Sequence, residues 1–205
     1  MFCLAAIERK KLMKLRKFQI RGDSIKIIGI CGSPRNGNTT WIMEKIFKEI
    51  STKGIESELI LLRNLHLELC NGCLICEDTG ECPINDDMKA LYEKLSQCDR
   101  LLIGTPVYFD SVPALLKKFI DRLNPLCVKE KLSNKDLYLI VVGQLKGDEG
   151  KNSRKKVIDY FRNLCEIFKM TFRNSWDFSA KEAKEISKLK NIEKQCKKIR
   201  GEIYG

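Results

Sequence analysis

Histidine is nearly missing from this chain: 205 residues hold one, His66. A lone histidine supports neither a Ser–His–Asp set nor a paired acid–base constellation, so hydrolytic chemistry has little to work with. Long apolar runs are missing too, and none approaches the about 20 residues that cross a bilayer. A secretory leader puts basic residues before an apolar core. Here Phe2–Ile7 comes first and the basic run Arg9–Lys17 follows, so the expectation is a cytoplasmic protein with no membrane partner. The dinucleotide pattern G-x-G-x-x-G is absent. The string Gly32-x-x-x-x-Gly37-Asn38-Thr39 comes near a triphosphatase loop, but Asn38 stands where the lysine that reaches the β/γ-phosphates belongs. A monophosphate ligand needs neither feature.

Positive charge is plentiful, at a net +11, which invites a nucleic-acid reading. Its placement argues against one. Residues 1–23 hold seven Lys/Arg and two acids, and residues 180–205 hold eight Lys/Arg and four acids, so the two ends carry nine of the eleven charges. The middle is close to neutral and shows no aromatic-rich basic patch. Solvated basic ends are the simpler account. Residues 1–23 read as a basic N-terminal extension, and residues 24–205 as one folded domain.

Within that domain the hydrophobic pattern alternates. Ile25–Cys31 is a nearly continuous apolar run, as suits a strand buried on both faces of a parallel sheet. Ile42, Met43, Ile46, Phe47 and Ile50 then recur at helical spacing. Glu58–Leu62, Arg100–Gly104, Asp136–Val142 and Thr171–Phe178 read as further strands. Helical stripes follow at Met88–Leu95, Val112–Leu123, Val157–Phe168 and Ala183–Ile199, with Asp86-Asp87 offered as an N-cap. Five strands, each followed by a helix, imply an α/β three-layer sandwich around a parallel sheet. The flavodoxin-like order 2-1-3-4-5 is the natural choice, with ligands at the carboxyl ends of the strands.

That rule points first to the loop Gly32–Thr40, which runs straight into a helix. Free N–H groups at a helix start attract a phosphate. Ser33, Thr39 and Thr40 add hydroxyls, Arg35 a charge and Asn38 an amide. After the third strand, Thr105–Pro113 brings Tyr108 and Phe109 to the same edge, where a flat ring finds aromatic faces. After the fourth, Gly143–Gly147 is a flexible turn able to close over a ligand.

Cysteine is the other abundance. Of ten, Cys70, Cys73, Cys76 and Cys82 lie within thirteen residues, in a loop spanning 68–86 after the second strand. A dense cluster in a reducing compartment points to metal or redox chemistry. Contiguous thiols ending in Cys82-Pro83 favour iron–sulfur over zinc, whose structural sites come as separated knuckles. Zinc and a purely structural loop remain the rival readings. Cys31, Trp41 and Trp176 read as packing.

The strings Gly32-Ser33-Pro34-Arg35-x-Gly37-Asn38-Thr39, Thr105-Pro106-Val107-Tyr108 and Ser111–Arg122 resemble the NADPH-dependent FMN reductase family over about residues 25–178. The resemblance implies FMN, with its phosphate on Ser33, Arg35, Asn38, Thr39 and Thr40 and its ring against Pro106, Val107, Tyr108, Phe109 and Gly143. The cysteine spacing resembles the iron-sulfur flavoprotein branch, which implies a 4Fe–4S cluster on Cys70, Cys73, Cys76 and Cys82. It also implies a one-electron donor such as ferredoxin and a homodimer or larger homo-oligomer. An NAD(P)H-dependent FMN or quinone reductase without a cluster is the alternative.

Overall fold

The computed structural model describes residues 25–204. The expected basic extension, residues 1–23, lies outside them. Five strands form one parallel sheet: β1 Ile27–Cys31, β2 Ser57–Leu61, β3 Arg100–Pro106, β4 Asp136–Gly143 and β5 Thr171–Ser179. Their spatial order is β2-β1-β3-β4-β5, the expected flavodoxin-like arrangement. Ile27 pairs with Ser57 on one side and Arg100 on the other. Arg100 then pairs with Asp136, and Asp136 with Thr171.

The helices are α1 Asn38–Ser51, α2 Ile75–Thr79, α3 Met88–Gln97, α4 Ala114–Asp121, α5 Asn124–Val128, α6 Gly147–Ile167 and α7 Ile192–Tyr204. Neighbouring β1 residues face opposite layers, as the period of two demands. Ile28 and Ile30 join the core made with α3, α4 and α6, whereas Ile27 and Cys31 join the one made with α1 and α7. The close approach of α1 to β1 depends on Gly29, where an added Cβ would lie 2.4 Å from the Phe47 ring. Trp176 stacks on Tyr138 with ring centres 6.1 Å apart, and Cys31 is fully buried, so both serve packing.

Several boundaries differ from the sequence reading. β3 runs on through Thr105 and Pro106, which pair with Val141 and Val142. α6 begins at Gly147, ten residues before its apolar stripe, because its first turns face the sheet edge with polar side chains. The last helix starts at Ile192 rather than Ala183. Asn191, at φ 67°, breaks it from a single 3-10 turn over Glu185–Lys188. Asp87 stands at the N-cap of α3 but gives that helix no side-chain bond. Its carboxylate instead accepts the His66 N–H at 2.7 Å.

Candidate functional site

All five strands end on one edge. The loops leaving β1, β3 and β4 meet there around a cavity of about 690 Å³, within the usual range for small-molecule sites. The β1 loop is stiffened by its own polar groups. The Ser33 hydroxyl donates to the Arg35 carbonyl at 2.8 Å, and the Thr40 hydroxyl donates to the same carbonyl at 3.1 Å. Gly37, in extended conformation, caps α1 without a side chain, and the first turn of α1 carries no acidic residue. The positive end of that helix therefore has neither a side-chain cap nor a carboxylate, the condition under which a bound anion is stabilised.

Nine of the ten residues predicted to hold the cofactor line this cavity: Ser33, Arg35, Asn38, Thr39, Pro106, Val107, Tyr108, Phe109 and Gly143. Thr40 does not. Its hydroxyl faces inward, accepting from the Arg63 guanidinium at 3.1 Å and lying 3.6 Å from the Cys31 sulfur. Burial pushes the Cys31 thiol up, so it stays protonated behind the loop. Asn38 also has a second task. Its amide donates to the Glu182 carbonyl at 2.8 Å and accepts the Ile186 N–H at 3.1 Å, clamping the segment after β5 onto the site.

The aromatic wall sits on a tight turn. Tyr108 and Ser111 exchange backbone bonds of 2.9 and 3.0 Å, with Phe109 at φ 48° and Asp110 at φ 59°. Both central residues are left-handed, an uncommon state for phenylalanine. Phe109 is fully exposed. Asp110 pairs with Lys156 of α6 at 2.5 Å, and this bond, with Ser153, holds its carboxyl below the usual range. The turn is thereby tied to α6.

Sequence reasoning missed the contribution of α6. Gly150 and Ser153 line the cavity, and only glycine fits at 150, where a Cβ would lie 2.1 Å from the Leu145 carbonyl oxygen. Arg154, buried beneath, donates to that same carbonyl at 2.9 Å and to Asp177 at 2.7 Å. The missed signal was Asp148-Glu149, acids suited to a first helical turn.

The cysteine loop leaves β2 on the same edge. Its base is pinned by a buried ion pair, Arg122 with Asp86 at 2.8 Å, both side chains at 1% exposure or less. Asp86 also accepts the Glu68 N–H at 2.7 Å, and Arg122 donates to the Glu68 carbonyl at 2.9 Å. Lys118 donates to the Leu67 carbonyl at 2.6 Å. Beyond that base, Cys70 and Cys73 are exposed, while Cys76 and Cys82 are half-buried. Four thiols of one loop are a donor set suited to a cluster in kind and number. Among the described residues, no three His, Cys, Asp or Glu groups are gathered to hold a metal ion. His66 is exposed and pairs only with Glu68, at 2.9 Å, leaving it no part in the site.

With the geometry in place, the relatives can be compared. Residues 25–183 match the NADPH-dependent FMN reductase family. The chain belongs to that family. It is 37% identical over 138 residues to an iron-sulfur flavoprotein of Methanocaldococcus jannaschii, covering 67% of this chain and 72% of that one. It is 38% identical over 98 residues to an iron-sulfur flavoprotein of Archaeoglobus fulgidus, which is 48% of either chain. The match thus spans most of the first relative and about half of the second. The solved structure of the Trp repressor binding protein from Bacillus subtilis superposes with a TM-score of 0.60 at 24% identity, covering 87% of this chain and 98% of that one, and shares the fold. A redox flavoprotein role follows from the family. No helix among the described residues is long and apolar enough to cross a membrane.

Proposed function

We propose that the protein binds FMN in the cavity above β1, β3 and β4 and works as an iron–sulfur flavoprotein that passes electrons from a one-electron donor such as ferredoxin. One observation carries the FMN reading: an uncapped helix start, with Ser33, Thr39 and Arg35 beside it, opens into a cavity whose far wall is aromatic. On binding, the Ser33 hydroxyl would turn from the Arg35 carbonyl to the phosphate, Thr39 would donate beside it, and Arg35 would offset its charge. Tyr108 and Phe109 cover a ring face and keep water from it. Bound FMN supplies the exchange of electrons, and the protein contributes position and surroundings.

Cys70, Cys73, Cys76 and Cys82 would hold a 4Fe–4S cluster, which supplies one-electron chemistry on the same edge as the flavin site. The cysteine spacing and the two iron-sulfur flavoprotein relatives support this. Exposed Leu69, Leu74, Ile75 and Phe109 support a homodimer or larger homo-oligomer that covers them. Anaerobic purification tests the whole reading, with about four iron and four sulfide per FMN expected. Yellow protein that stays free of iron after reconstitution would refute the cluster. The second reading is an NAD(P)H-dependent FMN or quinone reductase without a cluster, which the family match over residues 25–183 supports. Fast bleaching of bound flavin by NADPH and slow bleaching by reduced ferredoxin would select it.

A further inference from the structure

Two carbonyls of the β4 loop are tied back into the fold. The Gly143 carbonyl accepts the Ala180 N–H at 2.8 Å, on the β5 side of the sheet. The Leu145 carbonyl accepts the Arg154 guanidinium at 2.9 Å and the Ser179 hydroxyl at 3.0 Å. The C=O and N–H of one trans peptide point opposite ways. The Gln144 N–H therefore points to the β3 side, where Pro106 and Val107 line the cavity. The carbonyl before it in the strand, that of Val142, already faces that side and accepts the Val107 N–H at 2.9 Å.

Arg154 holds this arrangement from beneath. It is 6% exposed, and its Nε donates to Asp177 at 2.7 Å. The backbone makes room for it. An added Cβ at Gly143 would lie 3.1 Å from the Arg154 Cγ, and one at Gly150 would lie 3.0 Å from its Nη1. A planar guanidinium serves two acceptors at once, which the point charge of a lysine does less well. The same helix ties down the β3 turn, through Lys156 with Asp110. Both walls of the cavity are thus fastened to α6.

We infer that Arg154 is a positioning residue for the ring end of the cavity: through the Leu145 carbonyl it fixes the β4 loop so that the Gln144 N–H is presented to the rim of a bound flavin. This rests on the FMN reading above. The rim of that ring carries carbonyl oxygens and nitrogens that accept such a bond, and hydrogen bonds there tune the cofactor. Arg154 takes no part at the phosphate end, which belongs to Ser33, Thr39 and Arg35. Its loss therefore acts on the ring, which FMN and riboflavin share.

Fluorescence titration of the full chain with FMN and with riboflavin tests this. Arg154→Met should weaken both flavins by the same factor, about tenfold, and leave their ratio as in wild type. Arg154→Lys should recover part of the loss. Asp177, whose side chain is 46% exposed, stays solvated when its partner is removed. The double variant Arg154→Met with Asp177→Asn removes the charge of both and should bind as weakly as Arg154→Met alone, because the Leu145 carbonyl still lacks its donor. Arg154→Met at wild-type affinity, a loss confined to FMN, or full recovery in the double variant overturns the proposal. A wild type that takes up neither flavin refutes the FMN reading instead, and hydrogen exchange on the flavin-free chain then decides the role of Arg154. Arg154→Met should speed exchange of the Ala180 amide about tenfold and leave that of Trp41, bonded to the Gly37 carbonyl, unchanged. Equal exchange at Ala180 in the two proteins overturns the proposal there as well.

Discussion

The phosphate loop and the cysteine loop leave adjacent strands at the same edge, yet they are held in opposite ways. Residues 32–37 follow a strand buried on every residue and close on themselves through Ser33, Arg35 and Thr40. The cysteine loop follows β2, an edge strand, and is fixed at its base by Asp86 and Arg122, with Cys70 and Cys73 left in solvent. One loop is held along its length by its own polar groups, and the other is held at its base by long-range partners.

The largest test of that contrast removes the pin. Asp86→Ala leaves Arg122 charged, buried and unpaired, and should cost about 3–5 kcal/mol in denaturant unfolding. The expected pattern is a destabilised fold whose FMN affinity, measured below the transition, is unchanged. The flavin side should respond in the reverse way. Ser33→Ala and Thr39→Ala should each weaken FMN binding by about 1.5–3 kcal/mol, the worth of a hydrogen bond to a charged group. Both should leave iron uptake alone, and fluorescence titration reads the loss.

Acid sharpens the comparison further. Burial pushes the Asp86 carboxyl up, but the bonds from Arg122 and from the Glu68 and Met88 N–H groups outweigh it, so the net shift is downward. A carboxyl lowered in the folded state adds stability above its unfolded value, and loses it as pH falls through the folded one. Stability should therefore decline below about pH 4, and Asp86→Asn should flatten that slope in unfolding curves taken at several pH values. The smallest effect belongs to Phe109. Phe109→Gly relieves a left-handed residue that buries nothing, so stability should change by less than about 1 kcal/mol. The spectrum of bound flavin should shift, because one ring face loses its cover.

The sheet was legible in the sequence because its signals are local. Apolar runs such as Ile25–Cys31 and Asp136–Val142, each followed by a helical stripe, leave few topologies open. The cavity wall from α6 was not legible, since Gly147–Lys156 carries no apolar stripe and faces the site with Gly150 and Ser153. Thr40 and Asn38 show a second limit. Residue type marks both as phosphate donors, but long-range partners, Arg63 for one and Glu182 with Ile186 for the other, decide where their polar atoms go. Asp86 and Asp87 carry a helix-start signal, and most of their bonding instead secures the base of the cysteine loop, through Arg122 some 36 positions away.

Riboflavin against FMN is the most direct measurement. The two share the ring and differ by the phosphate that the proposed function assigns to the start of α1. Several charge-assisted bonds of about 1.5–3 kcal/mol each predict that purified protein binds FMN at least about 100-fold more tightly than riboflavin, and that Ser33→Ala with Thr39→Ala narrows the gap. Equal affinity for the two flavins, unchanged by those substitutions, would contradict the account.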